Sequence, residues 1–157
     1  MTVAEPRFQP LERDECLALL CGSTVGRVIY TDRALPAVRP VTFVVDGECV
    51  AFRTTASSRL AAAAAGAVVA LEVDELDVEL RSGWSVIVTG VATVVEPGVD
   101  RDRLVARLVP WAPGDRDCVV RIPITLLAGR RIVSSLVNVP SAGENGRADP
   151  EAAGALA

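Results

Sequence analysis

Between Val25 and Thr54 the apolar pattern repeats every two residues through three segments joined by very short connections. "VGRVIYT" alternates from Val25 to Thr31, "DRALP" turns the chain, "AVRPVTFVVD" follows, "GE" turns it again, and "CVAFRT" ends at Thr54. Alternation of period two marks strands with one buried face, and connections this short join only antiparallel neighbours. Any fold for this chain must therefore accommodate a run of hairpins with antiparallel neighbours.

The flanking segments extend the same architecture. "LERDECLALLCG" reads as a first helix, with Glu12, Asp14 and Glu15 in its first turn, an apolar stripe of Cys16, Leu17, Leu20 and Cys21, and Gly22 as its stop. A short alanine helix spans Ser57 to Ala65 and ends at Gly66. "AVVALEV" resumes as a strand whose tail, "DELDVELRSG", reads as a polar, acidic loop. "WSVIVTGVATVVE" is the longest strand, with a bulge or barrel corner expected at Gly90 because no side chain stands there. "GVDRDRLVARLVPW" holds a helix with Val99, Leu104, Val105 and Leu108 on one side, and "DCVVRIPITLLAGRRIVSS" closes with one or two strands. Six or seven strands with short helices predict a mainly β or α+β fold, a small, partly open antiparallel barrel. The segment 138–157 is small, polar and aperiodic and reads as a disordered tail, leaving 1–137 as one domain.

Composition removes several functional classes. A net charge of −4 argues against a nucleic-acid partner, which would want a basic face. No apolar run reaches the roughly 20 residues that span a bilayer, and "MTVAEPRF" has no secretory pattern, so a cytoplasmic protein without a membrane partner is expected. All 16 basic residues are arginine and histidine is absent, which removes histidine-based catalysis and histidine-ligated metal or haem. Cys16, Cys21, Cys49 and Cys118 form no C-x-x-C pair and read as reduced, buried thiols. The carboxylates of "EVDELDVEL" match no metal-ligand spacing, and no metal is expected.

Three stretches remain as possible binding elements. In "FRTTASSRLAAAA", Arg53 and Arg59 flank a helix start that already carries partial positive charge, and Ser57 or Ser58 is placed to cap it. With Thr54 and Thr55 these residues form a donor-rich turn suited to phosphate; an ordinary turn whose arginines pair with distant carboxylates fits the same pattern. In "PAVRPVTF", Arg39 interrupts an apolar strand and Pro40 removes an amide, which places the stretch at an edge or bulge. That edge either faces a flat heterocycle or simply carries one solvated arginine. Trp84 and Trp111 both sit beside loops, where stacking on a ligand, a subunit contact and core packing are all open.

Taken in order, "VGRVIYTDRALPAVRPVTFVVDGECVAFRTTASSRLAAAAAGAVVALEVDELD", "SGWSVIVTGVATVV" and "PWAPGDRD" resemble the pyridoxamine 5'-phosphate oxidase-like, FMN-binding split-barrel family. The match is nearest to its small actinobacterial, nitroimidazole-resistance-like branch and covers about 11–133. The resemblance implies a six-stranded antiparallel split β-barrel with short flanking helices, forming a homodimer with two flavin sites at the interface. It implies that Arg39, Pro40, Val41 and Thr42 lie along the isoalloxazine ring. Arg53, Thr54, Ser57, Ser58 and Arg59 would form the phosphate pocket, and Trp84 and Trp111 would approach the flavin from the other subunit.

Two departures from the family pattern matter. The position of Arg59 is often lysine in similar sequences, and a lysine-free chain supplies that charge only as arginine. True pyridoxamine phosphate oxidases are longer and use a C-terminal arginine and histidine segment, so that vitamin is not the expected substrate. The resemblance thus implies an FMN-dependent oxidoreductase acting on a small substrate by flavin hydride transfer. A deazaflavin-dependent reductase on the same fold and a non-enzymatic flavin-binding or sensing dimer stand as alternatives.

Overall fold

A computed structural model describes residues 7–109, 111 and 113–133; the segment read as a tail lies outside the described residues. The chain runs β1 (Arg7–Pro10), α1 (Arg13–Cys21), β2 (Val25–Asp32), β3 (Leu35–Asp46), β4 (Cys49–Thr54), α2 (Arg59–Ala64), β5 (Val68–Asp77), β6 (Ser82–Val91), β7 (Thr93–Val94), α3 (Val99–Arg107), β8 (Cys118–Pro123) and β9 (Leu126–Val133). The sheet order is β1-β9-β6-β5-β2-β3-β4-β8-β7, with antiparallel neighbours throughout. The three strands expected between Val25 and Thr54 form with their turns where the alternation places them.

Nine segments resolve into the six expected barrel strands once two kinks are recognised. Thr89 of β6 stands opposite Leu126, whereas Thr93 of β7 stands opposite Arg121. Four residues forward on one side therefore match five residues back on the other, which is a one-residue bulge. β6–β7 and β8–β9 are thus two long bent strands paired with each other. Gly90 sits at the bend, where a Cβ would stand 2.1 Å from the Pro123 carbonyl oxygen. Only a residue without a side chain lets the strands approach so closely. With these strands joined, β2, β3, β4, β8–β9, β6–β7 and β5 close into a ring, and β1 extends the edge at β9.

Inside the ring lie alternate residues of each strand, among them Val28, Tyr30, Phe43, Phe52, Leu71, Val86, Val88 and Ile122, with Cys16 and Leu20 of α1 packed against them. A second, smaller core forms outside, where Leu104 and Leu108 cover Ala51 and Val119. Removing these side chains from water supplies most of the driving force, at about 1.5–3 kcal/mol for each large one fully buried.

Several local expectations need correction. Asp74–Asp77 belong to β5 and pair with β6 out to Ser82, so only 78–81 turn the chain; strand pairing has overridden local polarity. Of the stripe assigned to α3, Leu104 and Leu108 are buried, but Val99 at its first turn is 86% exposed. Cys16 and Cys118 are buried, and burial is the leading cause that pushes both thiols above their ordinary pKa. Cys21, at the last position of α1, is exposed and Cys49 is half-buried, so only two of the four thiols behave as core residues. β1 went unread because all four of its residues are exposed, leaving no buried face to create a period.

Candidate functional site

β3 changes partners midway. Leu35–Thr42 pair with β2, and only Phe43–Asp46 pair with β4. The Phe43 N–H donates to the Thr24 carbonyl at 3.0 Å, so main-chain groups of Phe43 point toward β2. Successive residues of a strand alternate direction, so the groups of Thr42 and Pro40 point to the other side. There the Thr42 carbonyl meets the end of β4 beside the Phe43–Phe52 pair, and the Thr42 N–H and Pro40 carbonyl lie beyond the last β3–β4 pair. Pro40 stands where its missing N–H breaks no ladder bond, which is the edge position expected for it. Val41 is buried in the barrel and Thr42 half-buried; Arg39 is exposed and makes no ion pair among the described residues.

The donor-rich turn between β4 and α2 is organised by side chains. Ser58 is the N-cap and accepts from the Ala61 N–H at 3.0 Å. Its oxygen also lies 3.0 Å from Oγ1 of Thr54, which is buried. Ser57 is exposed. Arg59 meets Asp32 at 3.5 Å and is 67% exposed. The helix itself is six residues, Arg59–Ala64, shorter than the expected Ser57–Ala65. Its dipole is correspondingly small, so the side chains decide what the turn can hold.

Arg53 does not pair with a carboxylate. Its Nε donates to the Arg116 carbonyl at 2.8 Å and its Nη1 to the Leu108 carbonyl at 3.4 Å. Thr55 Oγ1 donates to the Asp115 carbonyl at 2.9 Å, and the Ala56 N–H donates to Asp117 Oδ1 at 3.0 Å. Arg101 donates to the Asp117 carbonyl. The Ala56 N–H is the leading cause that holds the Asp117 carboxyl below its usual range, with Arg101 and Arg53 adding to it. Sequence reasoning singled out neither Asp32 nor 115–117 as site residues. They lie tens of residues away in the chain, and a contact of that range leaves no periodic signal.

The tryptophans are not gathered at this site within one chain. Trp84 lies on β6 between Glu75 and Arg131, with β2 and β5 between it and β3. It packs partly against the core and lines a groove of about 290 Å³ with Leu76, Asp74, Arg130 and Ile132. Trp111 is 74% exposed in the connection from α3 to β8, the same connection that Arg53 and Thr55 bind through Leu108, Asp115 and Arg116.

The outer face of the β3-β2-β5-β6-β9 layer grades from apolar to charged. Val38, Val68, Val91 and Leu126 are exposed at one end, with Ile87 beside Glu72 where the charged end begins. At the other, Arg27 bridges Glu72 at 3.2 Å and Asp74 at 2.8 Å. Among the described residues, no group of histidine, cysteine and carboxylate side chains is placed to hold a metal ion, and no helix is long and apolar enough to cross a membrane.

Comparison with known proteins adds a family to this geometry. The family model described as pyridoxamine 5'-phosphate oxidase matches residues 12–131. An uncharacterized protein of Mycobacterium tuberculosis is 43% identical over 130 residues, covering 79% of this chain and 85% of that protein. The FAD binding protein from Mycobacterium smegmatis superposes with a TM-score of 0.62 at 33% identity, covering 80% of this chain and 98% of that one. A conserved protein of unknown function from Corynebacterium diphtheriae superposes with a TM-score of 0.67 at 29% identity over the same shares.

Proposed function

The chain belongs to the pyridoxamine 5'-phosphate oxidase family, and from that premise we propose that it is a flavin-dependent oxidoreductase that binds FMN at the split edge of β3. The observation that carries the proposal is the Arg39–Thr42 segment, paired with β2 on one side and reaching past the last β3–β4 pair on the other, in the same barrel as the arginine- and hydroxyl-rich turn of Arg53, Thr54, Ser57, Ser58 and Arg59. A flat heterocycle with donors and acceptors along one side can satisfy the Pro40 carbonyl and the Thr42 N–H, which lie beyond the last β3–β4 pair. The donor set suits a phosphate: Arg59 is largely exposed, Ser57 is exposed, and Arg53 has a second Nη with no bond among the described residues. The residues present thus fit a flavin phosphate.

Flavin, when bound, supplies hydride transfer, and the chain supplies position and electrostatics. Val41 anchors the edge in the core, Arg39 brings positive charge beside the ring, and Arg59 and Ser57 fix the phosphate. No side chain is needed as a histidine-type base. The substrate class is a small planar or electron-poor acceptor or donor. Pyridoxamine phosphate is not the substrate proposed, since the resemblance gives its recognition to an arginine and histidine segment that this sequence does not match. A second reading, FAD in place of FMN, is favoured by the 33% identity to the FAD binding protein of Mycobacterium smegmatis.

The apolar outer face supports a homodimer. Val38, Val68, Val91, Ile87 and Leu126 would be covered by the second copy, and Trp84 and Trp111 would approach the partner's cofactor. The spectrum of the purified protein is the first test. Flavin absorbance that survives desalting supports the reading, whereas a colourless protein that takes up neither FMN, FAD nor a deazaflavin sinks it. Single-turnover reoxidation of the pre-reduced complex by quinones or nitro compounds separates an enzyme from a binder.

A further inference from the structure

Three donors at the end of β4 are already occupied from within the chain. Arg53 Nε, Thr55 Oγ1 and the Ala56 N–H meet three consecutive residues, Arg116, Asp115 and Asp117, at 2.8, 2.9 and 3.0 Å. Two of these acceptors are neutral main-chain carbonyls. The third is a carboxylate, and it brings a full negative charge to the stretch that the proposed function gives to a phosphate. These donors belong to the strand end and the turn before the N-cap, so the arrangement does not depend on the short helix.

We infer that Asp117 is a specificity-determining residue of this site: its carboxylate stands where an anion oxygen would bind and lowers the affinity for a phosphate-bearing cofactor. This rests on the reading that the phosphate is held between Arg53 and Arg59. Arg53 and Arg101 offset part of the negative charge, but both already donate to main-chain carbonyls. A phosphate dianion arriving at Ser57 and Arg59 is therefore repelled by a carboxylate bonded to the residue next to Ser57, and removing that charge tightens binding on the order of tenfold. The repulsion acts on the phosphate and not on the ring. Riboflavin, which lacks the phosphate, is indifferent to it.

Asp117→Asn tests the inference, because the amide oxygen still accepts from Ala56 while the charge is gone. Asp117→Ser serves the same purpose should the first variant not fold, and Asp100→Asn is a control for an unrelated carboxylate. FMN affinity is expected to rise about tenfold in Asp117→Asn, riboflavin affinity to stay within twofold, and the FMN gain to shrink as salt is raised. FMN affinity unchanged, or riboflavin tightening in step with FMN, overturns the role. Inorganic phosphate supplies an arm independent of flavin. If neither protein binds any flavin, the flavin reading falls. Asp117 is then decided by whether phosphate raises the melting temperature of the variant more than that of the natural chain. Equal stabilisation overturns the inference.

Discussion

Two groups of arginines on this barrel are treated in opposite ways. Around α3, Arg103 reaches Asp46 and Asp100 at 2.7 Å each, Arg107 reaches Asp46 at 3.1 Å, and Arg121 reaches Asp100 at 2.7 Å. These guanidinium groups tie α3 to the end of β3 and to β8, and their partners hold the Asp46 and Asp100 carboxyls below the usual range, Arg103 first for Asp46 and Arg121 first for Asp100. By contrast, Arg53 meets only carbonyls, one of them that of Leu108 at the end of α3, Arg59 keeps a loose contact with Asp32, and Arg39 has no ion partner among the described residues. Arginines closed by carboxylates hold elements together, and those without a close carboxylate are the ones the proposed function assigns to a ligand. Composition alone makes the two groups look identical.

The comparison breaks most readily at the open group. The double substitution Arg53→Ala, Arg59→Ala removes two charge-assisted contacts, each worth about 1.5–3 kcal/mol, so FMN affinity should fall roughly 100-fold or more. Arg103→Ala should leave FMN affinity within twofold while lowering stability. Fluorescence titration of FMN against the three proteins decides it. Equal loss from both substitutions would mean that the open and closed groups do not differ in function.

Next in size is the closed group itself. Asp46 has an 18% exposed side chain and three arginines around it, so Asp46→Asn leaves partly buried positive charge without its partner. The cost should be about 2 kcal/mol in urea unfolding, with flavin affinity unchanged. Its folded pKa is lowered, so the stability it contributes is present above the unfolded carboxylate pKa, near 4, and is lost as pH falls through the folded value. Unfolding midpoints measured below pH 5 should therefore drop less steeply in Asp46→Asn than in the natural chain. Parallel acid limbs would show that the network contributes no charge-dependent stability.

What the sequence could and could not reveal follows the same division. The barrel strands were legible because alternation is local and survives in every strand with a buried face, and Gly90 announced the bend because its lack of a side chain is written in the residue itself. A serine cap at Ser57 or Ser58 was legible for the same reason, and the fold places it at Ser58. The arginine partners were not. Asp46 and Arg103, or Arg53 and Arg116, meet only after the barrel closes, and no spacing records their encounter. The pair Arg53 and Arg59 looked like one motif, yet the fold gives one to carbonyls of a distant connection and the other to a hairpin tip. The strand assigned to Asp74–Asp77 was hidden because β6 supplies the pairing that three carboxylates around Leu76 do not advertise.

The smallest expected effect lies at that hairpin tip, and it asks whether Asp32 belongs to the open group. Arg33 and Ala34 turn β2 into β3 with φ of 52° and 65°, the left-handed region that glycine or asparagine would occupy in such a two-residue turn. A Cβ at Ala34 is disfavoured there, so Ala34→Gly should stabilise by about 0.5 kcal/mol after the entropy gained by the unfolded chain is subtracted. A rise in melting temperature of roughly 1–2 °C is the readout. If Asp32 only shields an exposed guanidinium, relaxing the turn leaves FMN affinity unchanged. If the strained tip sets the reach of Asp32 toward Arg59, the same substitution alters FMN affinity several-fold while raising stability. Opposite movement of stability and affinity is the signature of a turn held under strain for the site it borders.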